Sequence, residues 1–379
     1  MTEFKKISCE NCGGELIFSP GTQLSSCNFC GSEFNIQNSK DTQFKSVEKI
    51  LPFSTTKEEF EIAALEWLSE GDLTPDDILE SSMFNNQVGV YLPMWMYVGR
   101  YDGSWSASSG YLREEEYVGK SFDGKKLERK TRTVTDWRPS NGNCKGDFQF
   151  LATASADSSI PSSVKAFSHD VEVTRNNLKD FKLEYSQGFS LLEIQLESDE
   201  CWELHGEWQA NHYVESVTKQ RIPGDKYKDF YVDAVYDLTN KVSCYVPFWL
   251  RNYKYSNEDF HLYMDGSNTI RINGERPIDQ DRSAEVDKLK TQGGIGCGVA
   301  VFIGIIPFLA EADEDFSGPF FWIMAVVGII WVWRKSSQKD KLIQESKDRR
   351  QVKLEQKINA IKNGSSQSSI NNDSNTPSF

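Results

Sequence analysis

Apolar and polar positions divide the chain into stretches of different period. Over residues 56–69, Phe60, Ala63, Ala64, Trp67 and Leu68 recur at helical spacing. Ser54 or Thr55 is placed to cap this helix, with Glu58 or Glu59 closing a capping box. Gly71 stops it, and Thr74-Pro-Asp-Asp77 opens a further short helical turn. From residue 88 the period falls to two: Val88 to Val98, then Tyr97, Tyr101, Trp105, Tyr111 and Tyr117 alternate with small or polar residues, as in a half-buried sheet. Residues 121–138 read as an exposed hairpin around Asp123-Gly124. Residues 198–220 return to a helical pattern in which Ser198 or Asp199 caps and Cys201, Trp202, Leu204, Trp208 and His212 fall on neighbouring faces. Residues 227–273 are strands again. Tyr91-Leu-Pro-Met-Trp95 and Tyr245-Val-Pro-Phe-Trp249 echo each other, and proline inside a strand predicts a kinked edge strand in each of two related modules.

Two uncharged apolar runs follow, 293–310 and 316–333, each of 18 residues. A bilayer span needs roughly 17–25 apolar residues, so the pair predicts a transmembrane hairpin. Lys288 and Lys290 precede it, Arg334 and Lys335 follow it, and the loop Glu311–Asp315 has no Lys or Arg. This charge pattern predicts an inner-membrane protein, multi-pass, with both termini cytoplasmic. Gly294 and Gly298 would allow close helix contact and homo-oligomer formation. The tail 334–363 carries a sparse apolar stripe on a charged helix, suited to a lipid surface, a coiled coil or plain solvation. Residues 364–379 are Ser/Asn-rich and read as disordered.

Charge sharpens the division. The chain of 379 residues has a formal net charge of −14. Residues 1–292 hold 32 Lys/Arg against 47 Asp/Glu, whereas 334–379 hold 10 against 5. An acidic body argues against phosphate-backbone binding, so nucleic acid is not the expected partner.

Four of the eight cysteines form two Cys-x2-Cys-Gly knuckles, Cys9/Cys12 and Cys27/Cys30, around a hairpin that begins at Glu15. Four thiolates close a tetrahedral site with no open position, which predicts one structural Zn²⁺ per chain in a ribbon at 1–40. No apolar leader precedes the first pair, so a reducing compartment is expected. Cys144, Cys201, Cys244 and Cys297 then read as small apolar side chains.

No reaction is written in the remaining residues. Gly119-Lys120-Ser121 lacks the first P-loop glycine, since Glu114 stands there. His205 and His212 lie seven apart, and His169 and His261 stand alone. Glu114–Glu116 and Asp279–Asp281 read as solvated faces, with calcium the minor alternative.

A resemblance enters through the knuckles, Pro75-Asp-Asp77, Val90-Tyr-Leu-Pro-Met-Trp95, Asp136-Trp-Arg-Pro-Ser-Asn-Gly142, Tyr245-Val-Pro-Phe-Trp249, Asp265-Gly-Ser-Asn-Thr269 and Asn273-Gly-Glu-Arg-Pro277. In order over residues 9–280, the series resembles a bacterial family of zinc-ribbon membrane proteins of unestablished function. Its members are sometimes labelled primosomal-helicase-like or transcription-factor-IIB-like. Asp265-Gly-Ser-Asn-Thr269 departs from the family's Asn-Gly-x-Thr-Gly, which puts that turn in question. The resemblance implies a ribbon, β modules and membrane helices, and brings no reaction with it.

The expected fold is therefore α+β: a zinc ribbon at 1–40, a helical connector at 41–87, a mainly antiparallel β-rich body at 88–292, a transmembrane hairpin at 293–333 and a helical tail. The expected function is a membrane-anchored cytoplasmic adaptor or protein-binding module. The rivals are a membrane-associated enzyme of unknown reaction, and a tethered nucleic-acid-binding ribbon protein. The protein partner is not legible in the sequence.

Overall fold

A computed structural model describes residues 4–11, 14–18, 27, 32, 40–42, 47–84, 88–120, 127–156, 160–173, 176–293 and 318–373. The fold is α+β with a mixed sheet, and the chain forms two compact units. The first comprises 1–67, 82–111 and 135–275; the second comprises 68–81, 112–134 and 276–379.

The first unit is built on two long strands. β6 (Val88–Lys120) and β10 (Lys226–Tyr255) pair antiparallel over most of their length. Around them lie β1 (Phe4–Ser8), β2 (Glu15–Phe18), β3 (Lys40–Thr42), β4 (Lys49–Ile50), β5 (Met83–Phe84), β7 (Leu127–Thr153), β8 (Lys179–Asp180), β9 (Ser190–Leu191), β11 (Glu258–Asp265) and β12 (Ile272–Gly274). The main path runs β12-β11-β10-β6-β9-β2-β1-β3. The β4–β10 and β6–β9 pairs are parallel, which makes the sheet mixed.

The two echo segments are interior strands, not the expected kinked edges. They pair with each other around a local twofold, Tyr91 opposite Pro247 and Pro93 opposite Tyr245. Each proline sits where the neighbouring strand changes, so its missing N–H falls in a gap of the ladder. On β6 the neighbour changes from β9, whose end gives Leu192 N–H to Tyr91 O at 3.1 Å, to β7, after which Ala154 N–H meets Pro93 O at 2.9 Å. On β10 it changes from β4, where Leu51 N–H meets Tyr245 O at 2.9 Å, to the end of β11, where Gly266 N–H meets Pro247 O at 2.8 Å. The echo extends to the tryptophans. Trp95 Nε1 donates to Leu196 O and Trp249 Nε1 to Thr55 Oγ1, both at 2.9 Å. Each acceptor lies two residues before a helix.

Those helices are α1 (Lys57–Glu70) and, following α3 (Ser162–His169) in the chain, α4 (Ser198–Cys201). The capping box of α1 is Thr56–Glu59: Glu59 N–H donates to Thr56 Oγ1 at 3.2 Å, and Thr56 N–H to Glu59 Oε2 at 2.7 Å. The core follows the alternation. Tyr97, Tyr101, Trp105, Cys144 and Cys201 are buried in one cluster, and Cys244 with Met94, Val246 and Phe248 in another. Tyr97, Tyr101 and Trp105 of β6 are thus packing residues, whereas Tyr117 is exposed. The departing block at Asp265 forms a tight turn in which Asp265 Oδ1 accepts from Ser267 N–H at 2.8 Å.

The second unit contains the outer part of the β6–β7 hairpin, α2 (Ile78–Ser81), α6 (280–293) and α7 (Gly318–Asp373). In the hairpin Glu115 pairs with Arg132 at 2.7 Å, and Gly119-Lys120 lies in extended strand rather than a phosphate-binding turn. Asp279 caps α6 through Arg282 N–H at 2.9 Å.

Here the transmembrane expectation is corrected. No helix among the described residues is long and apolar enough to cross a membrane. The apolar part of α7 runs only from Gly318 to Trp333, then meets Arg334 and Lys335. Sixteen helical residues rise about 24 Å, short of a hydrocarbon core of about 30 Å. Residues 294–310 of the first run, including Gly294 and Gly298, lie outside the described residues. The two membrane spans, the inner-membrane localisation and the topology inferred from them lose their support.

The tail is also not a solvated rod. Within this unit α7 runs on to Asp373 and is clasped to the segment around Asp76. Asp76 meets Arg282 at 2.6 Å, Arg349 at 2.7 Å and Ser346 Oγ. Lys353 reaches Glu80 at 2.6 Å. Arg350, fully buried, donates to the carbonyls of Ser69, Gly71 and Thr74. A guanidinium thereby donates to carbonyls at and just beyond the C-terminus of α1, where a positive charge is favoured.

Candidate functional site

The segment 198–219 is the most unusual surface of the first unit. α4 continues through a π turn at Trp202–Gly206 into α5 (Glu207–Lys219), with Glu207 N–H bonded to Trp202 O. The buried positions explain the turn. They are Cys201, Gly206, Ala210, Val214 and Thr218, spaced by five and then by four. One extra residue must be absorbed between Cys201 and Gly206, and a π turn absorbs one. Gly206 is required there, because a Cβ would lie 2.6 Å from the Trp202 ring. Trp202 in turn sits among Tyr97, Phe148, Phe150 and Tyr236.

The same register turns other side chains outward. Leu204 is 57% exposed, Trp208 60% and Tyr213 40%. The Trp208 and His212 rings lie 4.0 Å apart. Glu200, Glu203 and Glu207 are exposed beside them. From 197 to 218 the chain has six carboxylates and no Lys or Arg.

Beneath this helix lies a polar network that resembles a reactive site in composition only. Thr153 N–H donates to His169 Nε2 at 3.4 Å, with Thr153 Oγ1 at 3.0 Å from the same nitrogen. Gln209 Nε2 lies 2.8 Å from Nδ1, so the ring has a polar partner at both nitrogens. Burial, reinforced by His205, pulls His169 down to about 4, so the ring is neutral. Cys201 Sγ donates to Thr153 O at 3.4 Å, and burial pushes its thiol up to about 11. The nucleophile would be the thiolate, and this sulfur is held as thiol.

Of the other residues marked by sequence, His212 and Glu114–Glu116 are on the surface, while His261 Nδ1 lies 2.8 Å from Asn252 Oδ1. Cys9 and Cys27 are buried in one apolar cluster. Each begins a matching turn: Cys9 N–H bonds Gly14 O at 2.9 Å, and Cys27 N–H bonds Ser32 O at 2.8 Å. Cys12 and Cys30 lie outside the described residues. Among the described residues no three or more His, Cys, Asp or Glu side chains are grouped to hold a metal. A tetrahedral centre needs four ligands around one point. The zinc centre expected as part of the fold is accordingly not seen in the described residues. The sheet face opposite α5 carries an open groove of about 440 Å³ with two cations, Arg100 and Lys145, and three carboxylates, Asp102, Asp147 and Asp237.

The helical pattern of 198–220 contains Trp208 without assigning it to the outer face. The signal was the run of small residues at 206, 210, 214 and 218, which marks the inner stripe.

The chain is similar to the uncharacterized protein YdjG of Bacillus subtilis strain 168, 22% identical over 332 residues, covering 73% of this chain and 91% of that protein. No family model and no solved structure matches.

Proposed function

We propose that this chain is a protein-binding module that presents the outer face of α4–α5 to a partner. The observation that carries the reading is Trp208, at 60% the most exposed tryptophan of its unit, with Leu204 and Tyr213 beside it; Trp137 is 41% exposed and Trp95, Trp105 and Trp249 are buried. Exposed tryptophan on a rigid helix is the side chain most often found at the centre of binding energy in interfaces. The π turn that holds it there is a local irregularity of the kind that recurs at functional positions. Affinity capture with the intact chain and with Trp208→Ala tests the reading. A discrete partner recovered by the first and reduced about tenfold or more by the second is expected; equal recovery refutes it.

The resemblance to bacterial zinc-ribbon proteins is part of the same proposal, with Zn²⁺ on Cys9, Cys12, Cys27 and Cys30. Two features support it. Cys9 and Cys27 share one apolar cluster, and each opens a turn that contains the second cysteine of its pair in sequence. The metal would act as a cross-link whose binding energy is folding energy for a segment of this size. Metal analysis should give near one equivalent per chain, lost with ordered structure at the N-terminus in Cys27→Ser. A metal-free protein with unchanged N-terminal amide protection would remove zinc from the proposal.

A further inference from the structure

We infer that the partner offers a basic amphipathic helix to the α4–α5 face. This rests on the protein-binding reading and goes beyond it by naming the chemistry of the occupant. Leu204, Trp208 and His212 stand at successive turns of one helix face, with the Trp208 and His212 rings in contact at 4.0 Å. A ridge of side chains one turn apart fits the groove between the i, i+3 and i+4 side chains of a second helix. The surrounding charge sets the sign of the partner. Glu200, Glu203 and Glu207 are exposed beside the ridge, and Lys219 is the first cation after residue 196. Lys219 is committed to Glu215 at 2.9 Å. From other elements, Lys165 lies close enough to His205 to lower its pKa, and Lys241 pairs with Asp199 at 2.5 Å at the start of α4. An apolar helix stripe flanked by Lys or Arg meets the ridge and neutralises its rim; an acidic one is repelled.

The test uses the full chain and a labelled Leu/Lys amphipathic peptide of about five turns. A Leu/Glu peptide of the same pattern and a scrambled Leu/Lys peptide of the same charge are the comparisons, read by fluorescence anisotropy at physiological ionic strength. The patterned Leu/Lys peptide should bind, about tenfold more weakly to Trp208→Ala and about threefold to tenfold more weakly to Glu203→Gln/Glu207→Gln. Tyr231→Ala, which changes an exposed aromatic on the opposite sheet face, should leave binding unchanged. Equal binding of the scrambled peptide, or binding indifferent to Trp208, overturns the inference. Self-association that doubles the sedimenting mass and disappears in Trp208→Ala also overturns it, since a second copy would then cover the face. If the Leu/Lys peptide fails while capture of a natural partner still depends on Trp208, the basic helix is wrong and the binding face stands. If capture ignores Trp208, both fall.

Discussion

Arg350 carries a charge without solvent exposure, and its surroundings explain how. Burial lowers its pKa to about 10, helped by Arg282 and opposed by Asp76, so it stays charged at neutral pH. Its donors meet three carbonyls and Ser346 Oγ. Arg350→Met keeps volume but removes a donor from each of those carbonyls, while Thr74 O keeps Arg282 and Gly71 O keeps Thr74 N–H, at a cost of about 1–3 kcal/mol. The expected result is faster amide exchange along 341–353, measured by mass spectrometry; unchanged exchange would mean that the clasp does not hold the tail. Burial alone would raise the Asp76 carboxyl, but Ser346, Arg349 and Arg282 outweigh it and hold it below the usual range. A lowered carboxylate stabilises above the unfolded pKa and stops doing so as pH falls through the folded one. Tail protection should therefore persist in mild acid and weaken only below the ordinary aspartate range. His169 gives a separate signature. Its folded value of about 4 lies below the ordinary 6.5, so the unfolded chain takes up the proton first as pH falls. Stability should drop between pH 6.5 and 4 by about 2–3 kcal/mol, at about 1.4 kcal/mol per unit. Urea midpoints against pH should show this slope in the intact protein, and a flatter one in His169→Gln.

At the scale of elements, the π turn is the feature on which the binding face depends. Gly206→Ala places a Cβ against the Trp202 ring, and relief requires the ring or the helix to shift. The expected loss is about 1–3 kcal/mol, read from urea unfolding, together with weaker partner capture. Full stability and full capture would show that the turn has no role in placing Trp208. Much of this helix was legible. Its span follows from the helical pattern of 198–220, and α1 from Phe60, Ala63, Ala64 and Leu68. The capping residue of α1 was one position off, because Ser54, Thr55 and Thr56 have the same chemistry and only geometry selects among them. The π turn was legible only as the five-residue step from Cys201 to Gly206. The prolines misled for a physical reason. A missing N–H excludes continuous pairing on that side, and an edge is one way to meet this; a change of neighbour inside the sheet is another.

For the whole molecule, the echo of Tyr91–Trp95 with Tyr245–Trp249 was visible in sequence, but its meaning needed the pairing. The two segments face each other, and each tryptophan anchors the start of a helix. Long-range pairing of this kind, 154 residues apart between Tyr91 and Tyr245, has no local signature. The apolar runs misled in the other direction: composition gives their hydrophobicity, whereas the described helix shows how little of its length is apolar. The proposed role of the molecule rests on the α4–α5 face binding a protein. The most direct measurement places a photo-crosslinking side chain at position 208 in one chain and at 231 in another. Both positions are exposed, at 60% and 65%, and the second lies on the opposite sheet face. Irradiation in living cells should give a discrete crosslinked species from position 208 and none from 231. No species from 208, or the same species from both, would contradict the assignment.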